Sequence, residues 1–237
     1  MALRRVFVDR VGDGEAHVEG PAAHHLARVV RLREGEEVEL SDGRWLFRAR
    51  VAKADSRRVE FTIEEETAAP ASGPDVTLQV AVFQFSRLEW ALEKATELGV
   101  TRVVPVVADR SETHLVKAVP KRMERWRRIA EQAAQQSHRM SAPAIEEAVS
   151  FEEAVANGKE TRLILHPDGD PLGDILASSA EGPIQLLVGP EGDWTDDEVS
   201  AALTAGYRQA GMGALILRCE TAAVAALSII SQVRHRS

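Results

Sequence analysis

The stretch that most constrains this chain is an apolar run that stops on a proline held between glycines. Ile184-Gln-Leu-Leu-Val188 has the density of a buried strand, and Gly189-Pro-Glu-Gly-Asp193 closes it with a loop. Thr195-Asp-Asp-Glu198 follows at capping-box spacing and predicts a helix to about Ala205, where Gly206 stops it. A strand near Tyr207–Ala210 comes next, then a second glycine loop, Gly211-Met-Gly213. After Leu215-Ile-Leu-Arg-Cys-Glu-Thr221, an alanine-rich helix is predicted from Glu220 to about Val233. Two glycine loops at strand ends either let backbone approach a ligand or make two tight turns. Neither loop has the glycine spacing of the common nucleotide-binding signatures. Glu191 in the first loop, and Arg218, Glu220 and Thr221 after the second, put charge into apolar segments, which requires partners or a ligand.

The rest of the chain divides at Ala68-Ala-Pro-Ala-Ser-Gly-Pro74, small and aperiodic, which reads as a linker. Residues 1–67 form the first predicted domain, 68–75 the linker and 76–237 the second domain. Before the linker, short runs at Val6–Val8, Glu37–Leu40, Trp45–Val51 and Val59–Ile63 predict a small β-barrel. A helix over His24–Val30 is predicted there, with Leu26, Val29 and Val30 inward. After the linker, a strand over Val76–Phe85, a helix with Leu88, Ala91, Leu92, Ala95 and Leu98 on one stripe, and a strand over Arg102–Val107 give the βαβ pattern of a parallel sheet. Pro105 predicts an edge or a bulge. Further elements are a helix over Pro120–Gln136, a short helix at Phe151–Ala156, a strand Arg162–His166 and a helix Pro171–Ser179.

The charge of this 237-residue chain is −8, which argues against indiscriminate coating of nucleic acid. It is uneven: Lys117–Arg139 holds seven basic residues and two acidic ones. Such a run is ordinarily a solvated helix face, yet this one leads into the polar loop Gln135–Arg139, a setting in which arginine forks can grip phosphate. The single cysteine, Cys219, excludes a disulfide framework and a cysteine zinc site. With no membrane-length apolar run and no signal-peptide core, a cytoplasmic protein without metal is expected.

Five motifs in order resemble one family. Leu187-Val-Gly-Pro-Glu-Gly192 and Leu217-Arg-Cys-Glu-Thr-Ala222 resemble the signature motifs of the bacterial 16S rRNA uridine-N3 methyltransferases, the RsmE-like branch of the SPOUT superfamily. Lys94–Val100, Gln136-Ser-His-Arg139 and Leu165-His-Pro167 resemble its further motifs. The resemblance covers essentially the whole chain. It implies an α/β fold, a SPOUT-type parallel sheet with a C-terminal trefoil knot, preceded by a PUA-like β-barrel that binds RNA. It implies S-adenosyl-L-methionine as cofactor and the 16S rRNA of the small ribosomal subunit as partner. It also implies a homodimer built on the last helix, with Arg139 serving its own or the partner's site.

Carried onto this chain, the cofactor residues are Leu165, His166, Leu187, Gly189, Gly192, Met212, Gly213, Leu215, Leu217, Thr221 and Ala222. Arg218 is the residue that holds the uracil or its developing charge. Glu220 or Glu191 orients that arginine or takes the N3 proton, the alternative being an ion pair with Arg218 that only braces the loop. RNA contacts are assigned to Arg139, Arg122, Arg125, Arg128, Arg28 and Arg31. Two departures stand out. Family members usually carry a lysine and a glycine roughly where Gln84, Phe85 and Ser86 stand, and a glycine where His138 stands. Two further readings stay open: a SPOUT enzyme acting on a tRNA ribose 2′-hydroxyl, and a non-catalytic RNA-binding assembly factor.

Overall fold

The structure, a computed structural model, describes residues 3–68, 73–156, 158 and 161–234. These divide into two compact units. One falls within Met1–Ala71 and takes in Ala134–Ala142; the other holds the remaining described residues. Part of the predicted linker, residues 69–72, lies outside the described residues.

Alternation builds the first unit. Strands β1 (Arg4–Phe7), β2 (Val11–Gly12), β3 (Glu15–Glu19), β4 (Glu37–Ser41), β5 (Leu46–Ala54) and β6 (Arg58–Thr67) form one six-stranded sheet in the order β1-β4-β5-β6-β3-β2. Val38, Leu40, Ala49, Val51, Val59 and Phe61 turn to one face and make the core. The outward face carries cross-strand ion pairs such as Arg50 with Glu37 and Glu64, both at 2.8 Å. The predicted helix begins earlier than expected. Helix α1 (Gly20–His24) runs into a π-helical turn, His25–Val30, ended by Arg31 in the left-handed region. The wider turn rotates the side chains, so Leu26 is buried while Val29, predicted inward, is 65% exposed.

In the second unit every strand pair is parallel. β7 (Val76–Ala81), β8 (Arg102–Val107), β9 (Ala144–Ile145), β10 (Val149–Ser150), β11 (Thr161–Pro171), β12 (Ile184–Val188) and β13 (Arg208–Gly211) form one sheet, ordered β10-β8-β7-β12-β11-β13, with β9 also on β8. Helices α2 (Phe85–Glu97), α3 (Thr113–Ala118), α4 (Met123–Gln136), α5 (Phe151–Ala156), α6 (Leu172–Ser178), α7 (Asp196–Thr204) and α8 (Cys219–Arg234) connect them. Both faces are covered. Leu186 and Val188 of β12 pack into a cluster with Leu88, Trp126, Ile175 and Leu227, whereas Leu187 joins Phe151, Trp194 and Ala202 on the other face. A central strand buried on both sides needs a continuous apolar run, which is what Ile184–Val188 supplies.

Some boundaries moved. Phe85 opens α2 instead of ending a strand, and the helix predicted from Pro120 begins at Met123 after a separate α3 and a short 3-10 turn over Val119–Lys121. β8 is not an edge strand, but β9 pairs with it only at Arg102 and Val103 and β10 only at Val106 and Val107. Pro105 falls in the gap between them, so its missing N–H breaks no ladder. No helix among the described residues is long and apolar enough to cross a membrane.

Candidate active site

The loop after β12 is shaped by what lies against it. Asp193 adopts φ 63°, its amide donates to the Pro190 carbonyl at 3.0 Å, and its side chain accepts from the Trp194 amide at 2.8 Å. The Trp194 indole lies so close to Gly189 that a Cβ there would sit 3.1 Å from the ring. Arg110 donates to the carbonyls of Gly192 at 2.6 Å and Trp194 at 3.1 Å. Glu198 completes the predicted capping box with Thr195, and its Oε1 also accepts from the Asp109 amide at 2.9 Å. The loop is therefore fixed from the β8–α3 connection, which no local signal announces.

A close backbone crossing forms the next wall. Leu165 and Asp170 of β11 both pair with Ala210 of β13, so residues 166–169 loop out between them. A Cβ on Gly169 would lie 2.5 Å from the Ala210 carbonyl carbon, and one on Gly211 would lie 2.4 Å from the Gly169 oxygen. Only glycine allows this approach. Within the looped segment His166 Nδ1 accepts from the Asp168 amide at 3.2 Å, a structural turn bond that also turns the ring toward the cavity.

Beyond β13 the chain runs as a loop to α8. Leu215 and Ile216 are 80% and 92% exposed there, so this apolar segment is no strand. The three walls enclose a pocket of about 420 Å³. Leu165, His166, Val188, Gly189, Met212, Gly213, Leu215, Leu217 and Ala222 line it, with Arg87, Glu191, Arg218, Cys219 and Glu220 supplying its polar groups. Its size and its apolar wall with a few convergent charges suit a small cofactor.

Of the residues assigned to the cofactor, all but three line this pocket. Leu187 points to the opposite face of the sheet, because side chains alternate along β12, and Val188 lines the pocket instead. Gly192 faces Arg110, and Thr221 projects outward from the first turn of α8; neither lines the pocket. The electrostatics also differ from expectation. Among the described residues neither glutamate pairs with Arg218. Arg87 takes both, with Nη1 2.5 Å from Glu191 Oε1 and Nε 3.9 Å from Glu220 Oε1. Glu220 Oε2 is shut off from solvent and has no hydrogen-bond partner among the described residues. Arg218 is exposed and makes no ion pair among them. Burial, then the Glu191 carboxylate, pushes the Cys219 thiol up to about 11.

The arginines assigned to RNA have varied settings. Arg125 and Arg122 converge on Glu89 of α2 at 2.9 and 3.7 Å, and Arg122 also lies over the Phe85 ring. Arg128, Arg28 and Arg31 are exposed. Arg139 is half-buried, and burial lowers the pKa of its guanidinium. The loop before it belongs to the first unit. Arg5, 5% exposed and paired with Glu39 at 2.7 Å, donates to the His138 carbonyl, and Ser41 Oγ donates to the Met140 carbonyl at 2.6 Å. His138 sits at φ 56°, in the left-handed region that glycine adopts at least cost.

Comparison with known proteins places this geometry. Residues 71–231 match the RNA methyltransferase domain family, and residues 18–64 match the RNA methyltransferase PUA domain. The ribosomal RNA small subunit methyltransferase E of Mycobacterium bovis is 33% identical over all of this chain and 94% of its own length. The chain belongs to this family. Its member from Synechocystis is 34% identical over 88% of this chain and 70% of its own length. The crystal structure of the Neisseria gonorrhoeae member, bound to S-adenosyl methionine, is 30% identical with a TM-score of 0.87 over 98% of both chains. The parallel α/β sheet and the PUA domain are thus the family's architecture. Arg87 is the site residue that sequence reasoning missed; a cation in the first turn of a helix, against the macrodipole, was the available signal.

Proposed function

We propose that this chain is an S-adenosyl-L-methionine-dependent methyltransferase of 16S rRNA in the small ribosomal subunit, and that its target atom is N3 of a uridine. The observation that carries this reading is the pocket: two glycine loops meet beside an exposed arginine, in a family with a member crystallised with that cofactor. The exposed backbone of the loops and the apolar wall from Leu165 to Ala222 fit an adenosine, and the charged rim fits an amino-acid tail. Bound there, the cofactor supplies a methyl already activated by its sulfonium.

The chain's own residues then do three things. The apolar wall removes water and holds the methyl donor ready for in-line attack by the acceptor base. Arg218, with no carboxylate partner among the described residues, holds the uracil oxygen and the charge that grows as N3 loses its proton. The Glu220 carboxylate, which lines the pocket, accepts that proton, and Glu191 assists in placing it. Watson–Crick pairing occupies N3, so the target base is unpaired or flipped out. Arg139, Arg122, Arg125, Arg128, Arg28 and Arg31 are the RNA contacts in this reading, with the domains divided at the 68–75 linker. We further propose the C-terminal trefoil knot, supported by the backbone crossing of Gly169 with Ala210–Gly211, and a homodimer built on α8. A crystallographic chain trace without threading would refute the knot.

Mass mapping of small-subunit rRNA from a deletion strain tests the activity. Loss of 3-methyluridine, restored by the wild-type gene and reduced about 10²–10³-fold in rate by Arg218→Ala, is expected. Retention of 3-methyluridine in the deletion strain refutes the target, and full turnover by Arg218→Ala refutes the role.

A further inference from the structure

Arg87 stands in the first turn of α2, where the helix dipole disfavours a cation and where no acidic side chain compensates it. Something outside the helix holds it there. Its guanidinium lies between two carboxylates that come from different elements, Glu191 from the loop after β12 and Glu220 from the first turn of α8. Without a cation between them, two anions on one pocket rim repel each other. The planar fork of arginine reaches both at once, which a point charge cannot.

The two contacts differ in kind. Glu191 is at the rim, its side chain 39% exposed, and a pair in such a setting adds little to folding stability. Glu220 is 12% exposed, with one oxygen 3.9 Å from Arg87 and the other buried without a hydrogen-bond partner among the described residues. A partly buried carboxylate with one long charge contact is anchored loosely, and its placement depends on where the arginine stands. The Glu191 contact at 2.5 Å fixes that arginine.

We propose that Arg87 is a positioning residue for methyl transfer, setting Glu191 and Glu220 in the geometry the reaction needs. It acts through the carboxylates, and the proposal rests on the functional reading above.

The test uses the purified full chain, S-adenosyl-L-methionine and small ribosomal subunits from the deletion strain, in single turnover. Arg87→Ala is expected to slow transfer at saturating cofactor about 30-fold or more, with calorimetric cofactor affinity within about threefold of wild type. Its melting temperature should stay within about 2 °C. Arg87→Lys should recover part of the rate, since an ammonium reaches one carboxylate at a time. The double variant Arg87→Ala/Glu220→Gln should be no slower than Glu220→Gln alone, because both changes disable one unit. A wild-type rate in Arg87→Ala overturns the proposal, as does a loss that multiplies with that of Glu220→Gln. A loss that tracks cofactor affinity and melting temperature assigns Arg87 to bracing and also overturns it. If wild-type chain transfers no methyl to these subunits, the functional reading falls first and this proposal with it.

Discussion

Adding one methyl group at either of two glycines four residues apart should change stability in opposite directions. Gly169 lies against the β13 backbone, where a Cβ would stand 2.5 Å from the Ala210 carbonyl carbon and 2.6 Å from the amide nitrogens of Ala210 and Gly211. Those are main-chain atoms of a paired strand, so no rotamer change relieves the overlap, and β11 must separate from β13. Overpacking of this kind costs about 3 kcal/mol. Gly173 lies inside α6 with nothing within 4 Å of its Cβ position. Alanine there removes backbone freedom from the unfolded chain and stabilises by about 0.7 kcal/mol.

The two variants should therefore differ by about 4 kcal/mol. For a protein of this size that separates their melting temperatures by roughly 10 °C, with Gly173→Ala above wild type and Gly169→Ala below. Urea unfolding gives the free energies directly, with unchanged m-values confirming that the native states are compared. Because Leu165, His166, Met212 and Gly213 flank the crossing and line the pocket, Gly169→Ala should also weaken S-adenosyl-L-methionine binding about tenfold or more in calorimetry, at about 1.4 kcal/mol per decade. Wild-type stability and affinity in Gly169→Ala would refute the argument that backbone contact at this crossing shapes the pocket.

Cys219 should be slow to alkylate. With its thiol at about 11, only about one molecule in 10³ is thiolate at pH 8, so iodoacetamide should react roughly 100-fold slower than with a free cysteine and accelerate as pH rises toward 11. The same shift removes stability between the ordinary thiol pKa and 11, because the folded state holds the neutral form and the unfolded chain ionises first; alkylation as fast as that of glutathione at pH 8 would contradict the burial that causes it. The proposed homodimer should sediment at twice the 25.9 kDa chain mass, and a single-chain mass at micromolar concentration would refute it.

Local rules made much of this molecule legible. The buried strand Ile184–Val188, the capping box Thr195–Glu198, the break at Gly206 and the alanine-rich α8 each follow from interactions within a few residues, and so they were read correctly from spacing. The glycine loops marked where the pocket lies in the chain, and the order of five motifs marked the family. Of the residues that the resemblance assigned to the cofactor, Leu187, Gly192 and Thr221 do not line the pocket, because the direction of a side chain depends on strand pleat, on Arg110 and on helix phase.

What the sequence by itself determined is where the chain is apolar, where it turns and which motifs it owns. Only the tertiary structure decided which charges meet. Arg87 and Glu191 are 104 residues apart, and Arg5 and His138 are 133 apart. An ion pair leaves no periodic trace in either segment, since any cation and any anion satisfy Coulomb's law, and the sheet order alone brings one carboxylate and not another within reach.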